Sequence, residues 1–421
     1  MNGFTSFVRD HRVHDLFIAA VVVALFTAIS HWHSETPGPS KWLNADRSSH
    51  LGAEYDSIAR SIHDGNGFAS PFDEPTGPTA WMPPVLPYVL AAFYYVADGD
   101  RSLVVSLVLV VKSLVLVLCG WQVLLVGRAQ NCALLALILF VLGLCLEFFY
   151  LFQFTHDTWL ILLSLLLLSV SLRRLELAAR YSEVQWGAVG GLCVLCNPIL
   201  GLVWGIGTVG AARGCLHLRL RAVTIAISVC MIIVLPWCIR CRVVLQTWVP
   251  IKSNATYEAW QSLCKDDDGL LDLRTLETHP WVCDGKERRD YRDLGEVTFV
   301  AEKQPEFLAS LRQSPSEGVT RVIRRALVAT QYYMPLFDEE AEYGVKIRRA
   351  IFFVPFASWC IVLCTYRRQP LYAKFLAWTY AAYLAPYVIT SYYDRYGAPL
   401  IVVKLLLCLF AIRSLAAMRT T

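Results

Sequence analysis

Charged side chains are scarce in this sequence of 421 residues: Asp, Glu, Lys and Arg make up 17% of it, while 56% of the residues are apolar. Soluble globular chains average about 25% charged residues. The apolar residues are concentrated in runs that, as helices, are long enough to cross a hydrocarbon core of roughly 30 Å. Since backbone groups in lipid must be hydrogen-bonded within the segment itself, these runs are expected to be helical. The composition therefore excludes an ordinary soluble protein and predicts an all-α, polytopic membrane protein.

No small-residue cleavage site follows the first apolar run, residues 16–32, so this run is expected to be a retained membrane helix rather than a signal peptide. The other candidate spans are 103–126, 132–150, 158–172, 184–212, 220–239, 349–366, 371–391 and 397–415. Placing the Lys and Arg clusters between them in the cytoplasm requires 184–212 to cross twice, with a break near Asn197 and Pro198. This topology has about ten transmembrane helices and places both termini in the cytoplasm.

Internal repeats and low-complexity tracts are also missing, and the polar residues are distributed unevenly. The predicted topology places most of them outside the cytoplasm, in the first polar loop (residues 33–102), in a tight turn around Asp157, and in the long polar segment (residues 241–348). The long polar segment is predicted to be mostly helical. Function is therefore predicted to lie on the extracytoplasmic face.

These boundaries divide the chain into a membrane module (1–240) whose first polar loop carries a candidate catalytic helix, the long polar segment, and C-terminal transmembrane helices (349–421). Within the first polar loop, residues 85–97 are apolar but too short for an easy crossing. They follow the sequence WMPP, so an interfacial or re-entrant helix is expected there.

A short amphipathic helix is predicted near the start of the first polar loop. Ser48 or Ser49 can cap its beginning, and Gly65 can end it. Apolar residues recur there at three- and four-residue spacing and form one stripe, namely Leu51, Tyr55, Ile58 and Ile62.

The charges of this helix are predicted to lie on different sides. Asp56 and Arg60 are four residues apart and can pair on the solvent side, whereas Glu54 lies at the edge of the stripe and points toward the membrane. One alternative is an interfacial helix whose charges are merely solvated. The proline-rich backbone that follows, residues 77–87, is of a kind tolerated at membrane depth mainly where it lines a cavity, which favours a site.

Further charges lie at the predicted outer ends of spans. Asp157 either caps the helix that begins near Thr158 or belongs to a site, and both roles are compatible. Arg240, Lys252 and Arg395 run against the positive-inside trend, so they are expected to bind an anion such as a lipid phosphate. The alternative is that they extend to lipid headgroups.

A metal site is not expected, because the histidines predicted to lie outside have no firm ligand spacing with a carboxylate or cysteine. These histidines are His31, His33, His50, His63, His156 and His279. Cys264 and Cys283 can form a disulfide if their loop is extracytoplasmic, and Asn254 begins a glycosylation sequon. Lys112 and Glu147 are interpreted as packing or interface charges.

Several motifs resemble the GT-C superfamily of membrane glycosyltransferases, in its branch of dolichyl-phosphate-mannose-protein mannosyltransferases and lipid A aminoarabinose transferases. The first is EYDSIARSIHDGNGF at 54–68, followed by PTGPTAWMPPVLPYVL at 75–90. Weaker matches follow in family order over nearly the whole chain: HDT at 156–158, LPWCIR at 235–240, VPIKSN at 249–254, LGEV at 294–297 and RYGAPL at 395–400.

The resemblance implies transfer of a sugar from a polyprenyl-phosphate carrier to a lipid, glycan or protein acceptor outside the cytoplasmic membrane, or in an endomembrane if the cell is eukaryotic. It implies no metal, no other cofactor and no nucleic-acid partner. The implied general base is Glu54, supported by Asp157, with Asp56 and Asp46 as alternatives. The resemblance implies phosphate contacts from Arg240 and Arg395. Further candidates for binding the substrate are Arg60, Lys252, Tyr55 and Tyr396.

The sequence departs from the family pattern at two positions. Leu51 stands where many relatives have an aspartate, and Cys241 stands where many have an asparagine. Two other functions therefore remain open at this stage. One is a transporter or flippase of lipid-linked intermediates, and the other is an inactive scaffold of a cell-envelope complex.

Overall fold

The computed structural model describes residues 2–35, 50–176, 182–211, 216–265, 270–271, 275, 278–282, 285–335 and 342–419. In these residues the regular structure is helical, with two isolated β-bridges and no longer strand. The predicted all-α class is thus confirmed. Asp46, Ser48, Ser49 and Cys283 lie outside the described residues, so the Cys264–Cys283 disulfide stays a prediction.

The helices are numbered in chain order. Those of the N-terminal half are α1 (Asn2–Glu35), α2 (Ala53–His63), α3 (Val85–Val96), α4 (Arg101–Ala129), α5 (Ala133–Leu146), α6 (Thr158–Glu176), α7 (Glu183–Cys196), α8 (Leu200–Ala211) and α9 (Leu216–Leu245). Those of the C-terminal half are α10 (Ala255–Cys264), α11 (Lys286–Leu294), α12 (Glu296–Gln313), α13 (Pro315–Thr330), α14 (Glu342–Ile351), α15 (Val354–Cys364), α16 (Leu371–Thr390) and α17 (Ile401–Arg419). A π-helix at Phe149–Gln153 and 3₁₀ helices at Tyr366–Arg368 and Asp394–Leu400 complete the described elements.

Long apolar helices dominate the fold. Among the described residues, five are long and apolar enough to cross a membrane, namely Arg12–Ser30, Arg101–Ala129, Leu220–Leu245, Val345–Cys364 and Asp394–Met418. Large side chains on their outward faces, such as Val110 at 58% and Ile232 at 67% exposure, are apolar. Exposed apolar surface of this kind is typical of contact with lipid. The predicted membrane character is therefore supported by helices suited to a multi-pass protein.

Shorter apolar helices account for other predicted spans. The break expected near Asn197 and Pro198 is confirmed, because α7 ends at Cys196 and α8 begins at Leu200. Whether each half crosses the membrane stays a prediction. Helix α7 packs closely on α9, since a Cβ atom at Gly187 would lie 2.5 Å from the carbonyl oxygen of Ala226. Small residues of this kind let two helix backbones approach.

The long polar segment is mostly helical where it is described, as predicted, and it has its own aromatic core. This core contains Phe72 and Trp81 of the first polar loop together with Tyr257, Trp260, Tyr291 and Phe299. Glu296 at the start of α12 also binds the first polar loop. Its carboxylate accepts hydrogen bonds from the Thr79 hydroxyl, the Ala80 backbone N–H at 2.9 Å and the Tyr291 hydroxyl at 2.9 Å. The two polar regions therefore form one structural unit.

Helix α13 attaches this unit to the apolar helices. The Arg325 guanidinium donates to the carbonyl oxygens of Val388 at 2.6 Å and Ile389 at 2.8 Å, near the end of α16, and to Ser262 of α10 at 2.6 Å. The last carbonyls of a helix have no partner within it. Arg325 supplies one and fixes the long polar segment over this end of the bundle.

Candidate active site

Helix α2 begins after a sharp turn at Gly52, whose φ of 76° favours glycine. It ends at His63, and Gly65 follows with a φ of 83°, in agreement with the predicted stop. Leu51 lies before the helix rather than on it, but its side chain is buried. Tyr55 and Ile58 are buried as well, so the predicted apolar stripe faces the core.

The expectation that Asp56 faces solvent is wrong. Its side chain is fully buried, because α3 covers this side of α2. Tyr94 of α3 donates its hydroxyl to Asp56 at 2.5 Å, and the guanidinium groups of Arg60 and Arg101 lie 3.3 and 3.6 Å from the carboxylate. The predicted Asp56–Arg60 pair exists, but it joins α2 to its neighbours.

Arg60 also binds the carboxylate of Asp73, to which Ser57 donates at 2.7 Å. The side chain of Arg60 is 33% exposed and therefore sits at the rim of this cluster. Its expected contact with a carrier stays a prediction.

Glu54 occupies another face of the helix and is accessible. Its side chain is 18% exposed, and its Oε1 atom lies 3.7 Å from Nε2 of His279, in the long polar segment. Glu54 thus faces the junction between the first polar loop and the long polar segment.

Asp157 lies beside α2, at the residue before α6 begins. The Tyr55 hydroxyl donates to its Oδ2 atom at 3.2 Å, and Nη1 of Arg395 lies 3.5 Å from its Oδ1 atom. Burial raises the pKa of Tyr55 and Asp157 raises it further, so the phenol keeps its proton and donates. The backbone carbonyl of Asp157 accepts from the first turn of α6. Both roles considered for this residue, in the helix start and in a cluster of polar groups, are compatible with its position.

Arg395 lies in the 3₁₀ helix between α16 and α17, where its side chain is 12% exposed. Its Nη1 atom contacts Nδ1 of His156. Its guanidinium carbon lies 5.3 and 5.6 Å from the ring centroids of Tyr393 and Tyr396. Its Nε atom is buried and has no hydrogen-bond partner among the described residues. A buried guanidinium N–H without a partner is costly in free energy, so an anion that reached it would be bound strongly.

Tyr396 stacks on Tyr387 of α16, with ring centroids 4.0 Å apart. Asp394 precedes Arg395 in the chain. Its carboxylate accepts a hydrogen bond from the Tyr150 hydroxyl at 2.7 Å and lies 3.5 Å from the Arg348 guanidinium. The 3₁₀ helix that carries Arg395 is therefore fixed on both sides of that residue.

A buried ionic network extends from Asp394. Arg348 donates to Glu147 at 2.6 Å, and Lys404 donates to the other oxygen of Glu147 at 2.9 Å. Lys112 is the second charged residue that the sequence places in or near an apolar span. Its ammonium group donates a hydrogen bond to the backbone carbonyl of Phe152 at 3.1 Å. Glu147 and Lys112 are thus both buried and satisfied, as expected for packing charges.

Lys252 faces Glu258 rather than the bundle. Its Nζ atom lies 2.8 Å from the Glu258 carboxylate, which also accepts from the Asn254 side-chain amide at 3.0 Å. Asn254 is only 3% exposed. In this fold its amide nitrogen is inaccessible to an enzyme that would glycosylate the sequon.

Arg240 lies at the end of α9, and both of its terminal nitrogens are engaged. They donate to the carbonyl oxygens of Thr79 at 2.5 Å and Phe68 at 2.7 Å, and the guanidinium lies over the rings of Phe68 and Trp237. Arg240 therefore fixes the first polar loop to α9. Its expected contact with a carrier phosphate stays a prediction.

An apolar groove is formed by residues of α3, α7 and α9, and Arg240 is part of its wall. It has a volume of about 540 Å³ and is lined by Pro84, Val85, Tyr88, Val89, Ala92, Leu195, Ile233, Pro236, Trp237 and Arg240. Most of the surface that lines this groove is hydrocarbon, which suits an apolar chain.

The structure thus brings together Glu54, Tyr55, Asp157 and Arg395, and it adds His279, which sequence reasoning treated only as a possible metal ligand. No short-range pattern marks His279, because its partner Glu54 is remote in sequence. The described residues contain no group of three or more His, Cys, Asp or Glu side chains arranged to hold a metal ion. Comparison of the chain with protein-family models, with curated proteins and with solved structures gave no match.

Proposed function

We propose that this chain is a glycosyltransferase of the GT-C type, with about ten helices crossing the membrane. It transfers a hexose or pentose from a polyprenyl-phosphate carrier to a hydroxyl or amine acceptor on the extracytoplasmic face. The sequence resemblance suggests this reaction, and one structural observation carries it. A buried arginine with an unpartnered N–H lies 3.5 Å from the Asp157 carboxylate, at the polar end of an apolar helix bundle.

In the proposed reaction the acceptor oxygen attacks the anomeric carbon of the sugar while Glu54 removes the acceptor proton. The bond from the anomeric carbon to the phosphate oxygen breaks, and its electron pair stays on the phosphate. Arg395 stabilises the negative charge that develops there, because charge-assisted hydrogen bonds to phosphate are strong in a partly dry site. The products are the glycosylated acceptor and polyprenyl phosphate, and the proton stays on Glu54.

Among the carboxylates, Glu54 suits the role of base best. Asp56 is fully buried and bound by Tyr94, Arg60 and Arg101, so an acceptor has no access to it. Asp157 already accepts from Tyr55 and lies beside Arg395, which suits a supporting role that orients the arginine. Glu54 is accessible, and it directly precedes Tyr55, which donates to Asp157.

The apolar groove supports a lipid-linked donor. Its wall offers hydrocarbon contacts to an isoprenoid chain, and Arg240, which is part of that wall, fixes the first polar loop. Lys252, which binds Glu258, and Tyr396, which stacks on Tyr387, are proposed to contact the phosphate or sugar. Apolar burial contributes about 25 cal/mol per Å², so a long isoprenoid can supply much of the binding free energy.

The test is transfer by purified protein in detergent or nanodiscs, supplied with radiolabelled polyprenyl-phosphate hexoses and pentoses and with membrane acceptors. Wild type is expected to transfer label from at least one donor. Glu54→Gln is expected to reduce transfer by about 100-fold or more, the usual contribution of a general base. The matched control is Asp64→Asn, at the end of the same helix, whose side chain is 61% exposed.

Equal transfer by wild type and Glu54→Gln would eliminate Glu54 as the base. If wild type transferred no label from any donor, the proposed reaction would fail. A transporter or an inactive scaffold would then be the better explanation.

A further inference from the structure

His279 is held by its surroundings in a fixed orientation. It lies in the short described stretch 278–282 of the long polar segment, and its side chain is 17% exposed. The rings of Phe72, Trp81 and Tyr257 surround it at centroid distances of 5.9, 6.1 and 5.9 Å, each nearly perpendicular to the imidazole. A ring enclosed in this way has little freedom to rotate.

The backbone then determines which ring nitrogen carries the proton. The N–H of Trp281 donates to Nδ1 of His279 at 3.2 Å. A ring nitrogen that accepts a hydrogen bond has no proton, so the proton of neutral imidazole is on Nε2. This atom is the one that faces Oε1 of Glu54, at 3.7 Å.

The ionic state follows from burial. Burial lowers the pKa of His279, although the carboxylates of Glu54 and Glu258 both act to raise it. The Glu258 carboxylate is already bound by Lys252 and Asn254. Among the described residues, no Lys or Arg forms an ion pair with Glu54, the other carboxylate near His279. At neutral pH the imidazole is therefore an uncharged donor.

We propose that His279 is a positioning residue for the base, with its neutral Nε2–H orienting the carboxylate of Glu54 toward the acceptor. This inference rests on the proposed function in assigning Glu54 as the base. The separation of 3.7 Å is longer than a hydrogen bond, and a small rotation of the glutamate side chain brings the two atoms within hydrogen-bond distance without substrate. A charged imidazolium would instead form an ion pair with Glu54 and reduce its basicity. The aromatic enclosure keeps the ring neutral and thus preserves a usable base.

Two amide variants separate this role from simple packing. In His279→Gln the side-chain amide can place an N–H donor near the position of Nε2. In His279→Asn the amide oxygen can still accept from Trp281, but the side chain is too short to reach Glu54. Both variants are neutral and polar, and neither titrates. The matched controls are His63→Gln and His63→Asn, on α2.

The first readout needs no substrate. A water-soluble carbodiimide reacts with protonated carboxyl groups, so the pH dependence of Glu54 labelling, followed by peptide mass spectrometry, reports the pKa of Glu54. Loss of a donor to the charged form raises a carboxyl pKa. In His279→Asn the labelling curve is expected to move to higher pH by about one unit, while it stays in place in His279→Gln and in the controls. The acid limb of the transfer rate is expected to move in the same direction.

An unmoved curve in His279→Asn would overturn the proposal, and so would an equal shift in both variants. If His279→Asn failed to elute as a folded protein, an upward shift in His279→Gln alone would still overturn it. Labelling curves that move as expected, without transfer by wild type from any donor, would support the contact and reject the proposed reaction. Transfer by wild type with unmoved curves would reject the role of His279 alone.

Discussion

At the scale of single residues, the surroundings of each carboxylate determine its role. Glu54 and Asp56 belong to the same short helix, yet Asp56 is enclosed by two arginines and a tyrosine while Glu54 remains accessible. Their different positions around α2 follow from helical periodicity. Which face is covered depends on α3, and α3 cannot be placed from the local pattern.

Glu147 offers a direct test of the buried network, because its carboxylate binds both Arg348 and Lys404 and, together with Asp394, balances their charges. Glu147→Gln leaves an uncompensated positive charge in the core. It is expected to destabilise the protein by about 3–5 kcal/mol, the usual result when one partner of a buried pair is removed. Thermal unfolding in detergent measures the loss.

The matched variant adds Lys404→Gln to Glu147→Gln and removes the surplus charge. Part of the lost stability is expected to return in the double variant. A double variant as unstable as the sum of the two single variants would show that charge balance does not hold this network together.

Part of the candidate site can be read from the sequence, since Glu54, Tyr55, Asp157 and Arg395 are all predicted site residues and the last three contact one another in the structure. The burial of Asp56 and the engagement of Arg240 with two carbonyls could not be read there. Both depend on contacts with the first polar loop from remote helices, and the sequence pattern reports only which faces are apolar. His279 shows the same limit, because no periodic signal links it to Glu54.

At the scale of elements, the backbone at the start of α2 is tightly constrained. Gly52 has a φ of 76°, and a Cβ atom there would lie 2.8 Å from Cδ2 of Tyr55. Helix α2 therefore approaches α6 with its tyrosine already directed at Asp157.

Gly52→Ala is expected to displace Tyr55 from Asp157 and to lower thermal stability by about 1–3 kcal/mol, since it combines backbone strain with a clash. Gly67→Ala is the control. Gly67 has a φ of 74° but has no atom within 4 Å of its Cβ position, so that variant suffers the strain alone. Equal losses of stability in the two variants would mean that the contact with Tyr55 has no effect. Melting temperatures of the two purified variants provide the comparison.

At the scale of the whole molecule, the apolar runs predicted the helical class well. The predicted break at Asn197–Pro198 and the helical long polar segment also agree with the structure. The junction between the first polar loop and the long polar segment was not predicted, because its aromatic core combines residues from two regions that are each polar in sequence. Tertiary contacts of this kind produce no pattern among residues that are close in sequence.

Glu296 makes the central polar contacts of that junction. Glu296→Ala leaves Ala80 N–H and Tyr291 without their acceptor and is expected to loosen the first polar loop, since a buried donor without a partner costs about 1–3 kcal/mol. Limited proteolysis is expected to cleave residues 66–80 faster than in wild type. The control is Glu302→Ala on the exposed side of the same helix. If the two variants were cleaved at the same rate, Glu296 would have no special part in holding the loop.

The separations of these contacts along the chain have a consequence for biosynthesis. Thr79 and Glu296 are 217 residues apart, and His156 and Arg395 are 239 residues apart. During synthesis α2 is therefore made long before the residues that complete its surroundings. A chain interrupted before residue 395 contains most of the apolar helices but lacks the cation beside Asp157. Such a product is expected to reach the membrane as a helical fragment in which Asp157 has no cation beside it, so the candidate site is completed only when the last part of the chain has been made.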